Sequence, residues 1–200
     1  MTRTSSPVGA GIVSPVRQTP VYYYSSASGL VRSFAERLGR PVHNLADREH
    51  RHSQVDGPWV LLTPSYKTGN ESNDTVPEAV RRFLRDEHNR RLMVGVMGSG
   101  NRNFGRYYQM ACRLIAQRSG RPVLFEFELA GTPWDVEECR TILADLDTAL
   151  AARDETATRA ATATHDETAP DDETATHDET ATHDEMATHD ETASPARPGA

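Results

Sequence analysis

The first residues able to do chemistry are three hydroxyls beside a glycine. Ser25, Ser26 and Ser28 lie in Tyr-Tyr-Ser-Ser-Ala-Ser-Gly (23–29), just before Leu30, Val31, Phe34 and Leu38 begin to recur at helical spacing. A helix start presents N–H groups without intrahelical partners, and a glycine lets an anion come close to the backbone. The pattern reads as a phosphate cradle made of neutral donors, although an ordinary serine N-cap uses the same residue types. A second group is the polar stretch after Thr63-Pro64, which opens with Ser65-Tyr66-Lys67-Thr68-Gly69. The third is Gly98-Ser99-Gly100-Asn101-Arg102-Asn103, which starts like G-x-G-x-x-G but has Asn at the third glycine position.

Several chemistries are excluded. No G-x-x-x-x-G-K-[ST] occurs, so the phosphate cradle is not a P-loop. The near-dinucleotide fingerprint follows the fourth apolar run and carries little weight. A phosphoreceiver would need acids at the ends of the first and third runs, where Tyr24-Ser25 and Thr63-Pro64 stand. His43, His50, His52 and His88 fall on a weak strand, a loop and a helix end and form no Ser-His-Asp set. No catalytic residue and no metal ligand is assigned. Tyr22, Tyr23 and Tyr24 read as core, and Cys112 and Cys139, without a C-x-x-C, imply no disulfide framework.

The elements that must position these groups alternate in kind. Short apolar runs at 21–24, 41–45, 59–62, 92–97 and 123–129 read as strands. Helical spacing appears after Gly29, after Pro77 (Val80, Phe83, Leu84), over about 104–118 (Tyr108, Ala111, Cys112, Ile115) and from about Pro133 through Leu150. Residues 47–54 read as loop. Strands interleaved with helices imply βαβ units and an α/β fold with a mainly parallel sheet, which binds ligands beyond the carboxyl ends of its strands. The segments 25–31, 64–75 and 98–104 all occupy that edge.

Charge divides the 200 residues into unlike parts. From Ala152 onward, Ala/Thr/His/Asp/Glu repeats carry thirteen acids against three arginines, a net charge of −10, while residues 1–151 carry +3. The organisation expected is a disordered extension over 1–19, one domain over 20–150 and a disordered acidic repeat tail over 151–200. His165, His177, His183 and His189 in that tail each precede Asp-Glu, a pattern read as solvated coil rather than a metal site. The slightly basic body has no dense basic stripe, so no nucleic-acid partner is expected. No apolar run approaches a membrane span and residues 1–19 have no secretory apolar core, so a cytoplasmic location without a membrane partner is expected.

Five segments together resemble a known family: 23–29, Thr-Pro-Ser-Tyr (63–66), Val-Pro-Glu-Ala-Val-Arg-Arg-Phe-Leu (76–84), Gly-Ser-Gly-Asn-Arg-Asn-Phe-Gly (98–105) and Phe-Glu-Leu-Ala-Gly-Thr-Pro-Trp-Asp-Val (127–136). Over about residues 20–148 the chain is similar to the NrdI proteins, flavodoxin-like FMN proteins that serve class Ib ribonucleotide reductases. The resemblance implies five parallel strands in the order 2-1-3-4-5 with helices on both faces, and one non-covalent FMN. It implies an accessory redox flavoprotein rather than a stand-alone enzyme. Its reduced FMN would supply superoxide or electrons for assembling the dimanganese-tyrosyl radical cofactor of the partner small subunit, and a flavodoxin- or ferredoxin-type reductase would reduce it. On the family pattern, Ser25, Ser26, Ser28 and Gly29 fall on the phosphate loop. Tyr66, Lys67, Thr68 and Gly69 fall on the loop covering the ring, and Ser99, Gly100, Asn101, Asn103 and Phe104 at its edge. The chain departs from the pattern at Leu30-Val31, where the family usually has Asn-Thr, and at Lys67-Thr68-Gly69-Asn70, where it is commonly Gly-rich. The rival readings are a general flavodoxin-type electron carrier and a cofactor-free flavodoxin-fold binding module.

Overall fold

The structure, a computed structural model, describes residues 16–66 and 75–166. Five parallel strands form one sheet: β1 (Val21–Tyr23), β2 (Val42–Asn44), β3 (Trp59–Pro64), β4 (Met93–Gly100) and β5 (Val123–Glu128). Their order is β2-β1-β3-β4-β5, with Tyr22 opposite both His43 and Leu61 and Thr63 opposite Gly98. The direction of winding reverses between β1 and β3, and a parallel sheet opens its ligand crevice at that switch point.

Alternation along the strands makes two cores. Val21, Tyr23, Val60 and Leu62 face Val31, Phe34 and Ala35 of α1 (Leu30–Glu36) and Val136, Cys139 and Leu143 of α6 (Pro133–Asp166). Tyr22, Trp59 and Leu61 face Val80 and Phe83 of α3 (Glu78–Phe83) and Ala111, Cys112 and Ile115 of α5 (Met110–Ser119). Every residue of β3 is buried because both faces of this middle strand are covered by helices.

Some elements depart from the sequence pattern. The stretch read as loop at 47–54 contains α2 (Arg48–His52), which buries no residue and so leaves no apolar period to read. The helix expected after Pro77 is α3; a further short helix not read from the sequence, α4 (Glu87–Leu92), starts at Asp86, whose side chain accepts the Asn89 N–H. The helix expected over 104–118 is a 3-10 turn at Arg102–Tyr107, interrupted by Gly105 (φ 53°) and Gln109 (φ 58°) before α5 begins. Tyr107, not Tyr108, is the buried ring there.

The boundaries differ as well. Gly98-Ser99-Gly100 belong to β4 itself rather than to a loop after it. The last helix continues past residue 150 to Asp166, with Ala152 to Thr162 exposed throughout, so it is the alanines and arginines of this stretch rather than burial that favour it. At the other end Thr19 is already buried, its N–H donating to Asp147 at 2.8 Å. Among the described residues no helix is long and apolar enough to cross a membrane.

Candidate functional site

The carboxyl ends of β1, β3 and β4 open into a groove of about 160 Å³. Of the ten described residues expected at the site, seven line it: Ser26, Ser28, Tyr66, Ser99, Gly100, Asn101 and Phe104. Ser25, Gly29 and Asn103 are not among the lining residues, and Lys67, Thr68 and Gly69 lie outside the described residues.

The turn from β1 into α1 sorts its serines by depth. Ser25 is buried, and its Oγ accepts the Arg32 N–H at 3.2 Å and so caps α1 from seven residues away. Ser26 and Ser28 face outward, their hydroxyls 2.9 Å apart. Gly29 (φ 70°) turns the chain in the left-handed region, its N–H bonded to the Ser26 carbonyl at 3.0 Å. Among the described residues, the N–H groups of Ser26, Ala27, Ser28 and Leu30 have no internal acceptor. Two hydroxyls bonded to each other and several N–H groups without an acceptor among the described residues thus lie in one turn, with no charged side chain in the described lining.

The remaining walls are mostly apolar. Leu30, Val31, Pro64, Tyr66, Phe104 and Leu129 contribute them. The Tyr66 ring meets Tyr24 edge-on at 6.4 Å, and its N–H donates to the Thr75 carbonyl at 3.3 Å, joining the two feet of the loop between them. Burial raises the Tyr66 phenol above the usual tyrosine range. Its hydroxyl lies close to Ser26 and Tyr24, yet it is buried without a hydrogen bond of good geometry. An orphaned buried hydroxyl beside unpaired N–H groups and an apolar slot suits a ligand with one phosphate and a flat ring.

Other expected site residues hold the edge together. Ser99 is buried and donates to the Leu129 carbonyl at 2.8 Å. Asn101 accepts the Asn103 N–H at 2.9 Å in a side-chain turn. Arg102 pairs with Glu128 at 3.2 Å, tying the 3-10 turn to the end of β5.

Sequence reasoning missed several neighbours. Ser65 is buried, and its Oγ accepts the Ala111 N–H at 2.9 Å, capping α5 from 46 residues away. Gln109, fully buried, donates to the Phe127 carbonyl at 2.7 Å from a left-handed backbone. Leu129 (φ 56°), read only as the end of a strand, is 42% exposed over the groove. Its one sequence signal is an apolar residue outlasting the strand just before Gly131-Thr132-Pro133.

The sequence matches a family of known proteins. A family model described as NrdI flavodoxin-like matches residues 22–141. Proteins called Protein NrdI from Escherichia coli O139:H28 and from Shigella dysenteriae serotype 1 are each 48% identical to the chain over 118 residues, 59% of this chain and 86% of theirs. Among solved structures, oxidised Flavodoxin 2 from Bacillus cereus superposes with a TM-score of 0.43 at 18% identity, covering 64% of this chain and 98% of its own. Two-electron reduced Megasphaera elsdenii flavodoxin gives 0.41 at 16%, covering 65% and 99%.

Proposed function

The chain belongs to the NrdI flavodoxin-like family, and on that premise we propose that it is an FMN-bearing redox accessory of a class Ib ribonucleotide reductase. The observation that carries this reading is the groove itself: the Ser26 and Ser28 hydroxyls 2.9 Å apart, beside unpaired backbone donors and an apolar slot reaching Tyr66. When bound, FMN supplies one-electron chemistry, with O₂ as acceptor and superoxide as the species passed to the dimanganese small subunit.

The protein's residues hold and shield that cofactor. Ser26, Ser28 and the free N–H groups around Gly29 hold the phosphate with neutral donors. Leu30 replaces a polar side chain with apolar contact at the groove wall, and Val31 turns into the core, so phosphate binding falls more heavily on the serines and the backbone. Tyr66, Phe104 and Leu129 cover the ring and keep water from it. Gly100 brings backbone close to the ring edge, where a side chain would collide with Tyr108. The protein works in the cytoplasm and is reduced by a flavodoxin- or ferredoxin-type reductase.

The purified protein is expected to be yellow, with about one FMN and no FAD. A colourless protein that takes up no FMN on incubation would favour the cofactor-free binding module. Reduced protein with O₂ should generate a tyrosyl radical in a manganese-loaded class Ib small subunit, read by electron paramagnetic resonance. A signal no larger than that of the flavin-free control removes the role. A general electron carrier typically has a strongly acidic body, whereas residues 1–151 carry +3.

A further inference from the structure

A second concavity lies on the side of the sheet covered by α3, α4 and α5, and it is the larger of the two. Its volume is about 630 Å³, roughly four times that of the groove at the strand ends, and within the range of small-molecule sites (~300–1,000 Å³). Val76, Met93 and Ile115 make a buried apolar floor, and the half-buried Leu84 and Leu114 form its sides. Arginines ring the mouth: Arg81, Arg85, Arg90 and Arg118.

Among the described residues those cations outnumber the acids of the lining. Glu78 is the one carboxylate in the lining among the described residues, and it is already engaged by Arg81 at 2.8 Å and by Arg82 at 2.9 Å. Arg85 reaches it only at 3.9 Å. Arg90 donates to the Leu84 and Arg85 carbonyls at 2.8 and 2.7 Å, which fixes the guanidinium without neutralising it. Arg118 has no hydrogen bond or ion pair among the described residues. An apolar floor below Arg90 and Arg118, neither of them paired with a carboxylate among the described residues, is complementary to an anion with an apolar body, since guanidinium groups match carboxylate and phosphate oxygens in fork geometry.

We propose that this cavity binds an amphiphilic small-molecule anion, one carboxylate or phosphate on an aliphatic or aromatic body, with the body on the Val76–Met93–Ile115 floor and the anion between Arg90 and Arg118. The site is separate from the cofactor groove: the two linings share no residue. The proposal therefore stands apart from the reductase role.

The test uses the full chain saturated with FMN, titrated calorimetrically with octanoate, octan-1-ol and acetate. Octanoate should bind at least tenfold more tightly than either the alcohol, which lacks the charge, or acetate, which lacks the body. Arg118→Glu, at an exposed and unpartnered position, should weaken octanoate at least tenfold, and Arg48→Glu on α2 should leave it unchanged. Arg90→Met should act like Arg118→Glu; because Arg90 also holds carbonyls at the end of α3, its melting temperature is measured alongside. Methyl resonances of Leu114 and Ile115 should shift with octanoate and saturate with the same constant. Equal affinities for octanoate and octan-1-ol, an Arg118→Glu protein that binds as wild type, or unmoved Leu114 and Ile115 methyls would each overturn the proposal.

Discussion

Ser25 and Ser26 are neighbours of one residue type, yet their hydroxyls serve different ends. Ser25 closes α1 from inside the fold, while Ser26 meets Ser28 at the groove. Ser26→Ala with Ser28→Ala should therefore weaken FMN without unfolding the body. Each charge-assisted bond contributes ~1.5–3 kcal/mol, so losing one costs about ten- to a hundredfold in affinity. Ser25→Ala should instead lower stability by the ~0.5–2 kcal/mol of a lost helix cap. Flavin fluorescence titrations and thermal melts of both variants check the division; an unchanged FMN dissociation constant in the double variant would place the phosphate elsewhere. Acid sensitivity is also a residue-scale property. Hydrogen bonds from Arg113, at 2.7 and 2.6 Å, hold the Glu126 carboxyl below the usual glutamate range. A depressed folded pKa stabilises above the unfolded value, and that contribution is lost as pH falls through the folded one. With Arg113 58% exposed, the pair contributes at most ~1 kcal/mol. The melting-temperature gap between wild type and Glu126→Gln should thus be small at pH 7 and close on acidification below the normal glutamate range; a gap that widens instead would contradict this.

At the scale of elements, β4 shows why Gly98-Ser99-Gly100 imitates a dinucleotide loop without being one. Its glycines serve packing between strand and helix: a β carbon at Gly98 would overlap the Gln109 side chain and stand 2.9 Å from Cys112 Cβ, and one at Gly100 would stand 2.8 Å from the Tyr108 ring. Gly98→Ala should cost ~1–3 kcal/mol as an overpacked contact and weaken FMN by displacing Ser99. Urea unfolding with an FMN titration tests both, and a variant as stable as wild type would mean that α5 yields freely. The same region marks the limit of what the sequence discloses. Strands such as β3 were legible because continuous burial leaves a continuous apolar run, and α1 and α6 because one buried stripe repeats at helical spacing. The break before α5 was not: its cause is a buried amide at Gln109 reaching a carbonyl 18 residues away. Likewise Ser26, Ser28 and Tyr66 were readable as groove residues from their place after β1 and β3. Leu129 and the capping role of Ser65 depend on contacts 30 to 46 residues distant, which no local pattern encodes.

For the molecule as a whole, closure rests on a polar tie at the sheet edge opposite the groove. Asp147 of α6 is buried and pairs with Arg40, which precedes β2, at 3.3 Å; their side chains are 8% and 5% exposed. Thr19, leading into β1, donates its N–H to Asp147 at 2.8 Å, and its carbonyl accepts from Arg40 at 3.1 Å. Three segments separated by as many as 128 residues thus share one buried network. Breaking a buried pair by removing one partner costs ~3–5 kcal/mol, because the remaining charge is stranded away from water. That is a large fraction of the ~5–15 kcal/mol that holds a domain together. Asp147→Ala should therefore lower unfolding free energy by ~3–5 kcal/mol, and Asp147→Asn by less, since its amide oxygen still accepts the Thr19 N–H. Adding Arg40→Met to Asp147→Ala should recover part of the loss, because no buried guanidinium is then left unpaired. Since the tie lies at the amino ends of the strands and the groove at their carboxyl ends, the folded fraction of each variant should bind FMN as wild type does. Denaturant unfolding of the three variants, with FMN affinity measured well below each midpoint, separates the outcomes: a change under 1 kcal/mol for Asp147→Ala, or a double variant no more stable than Asp147→Ala, would show that the network contributes packing alone.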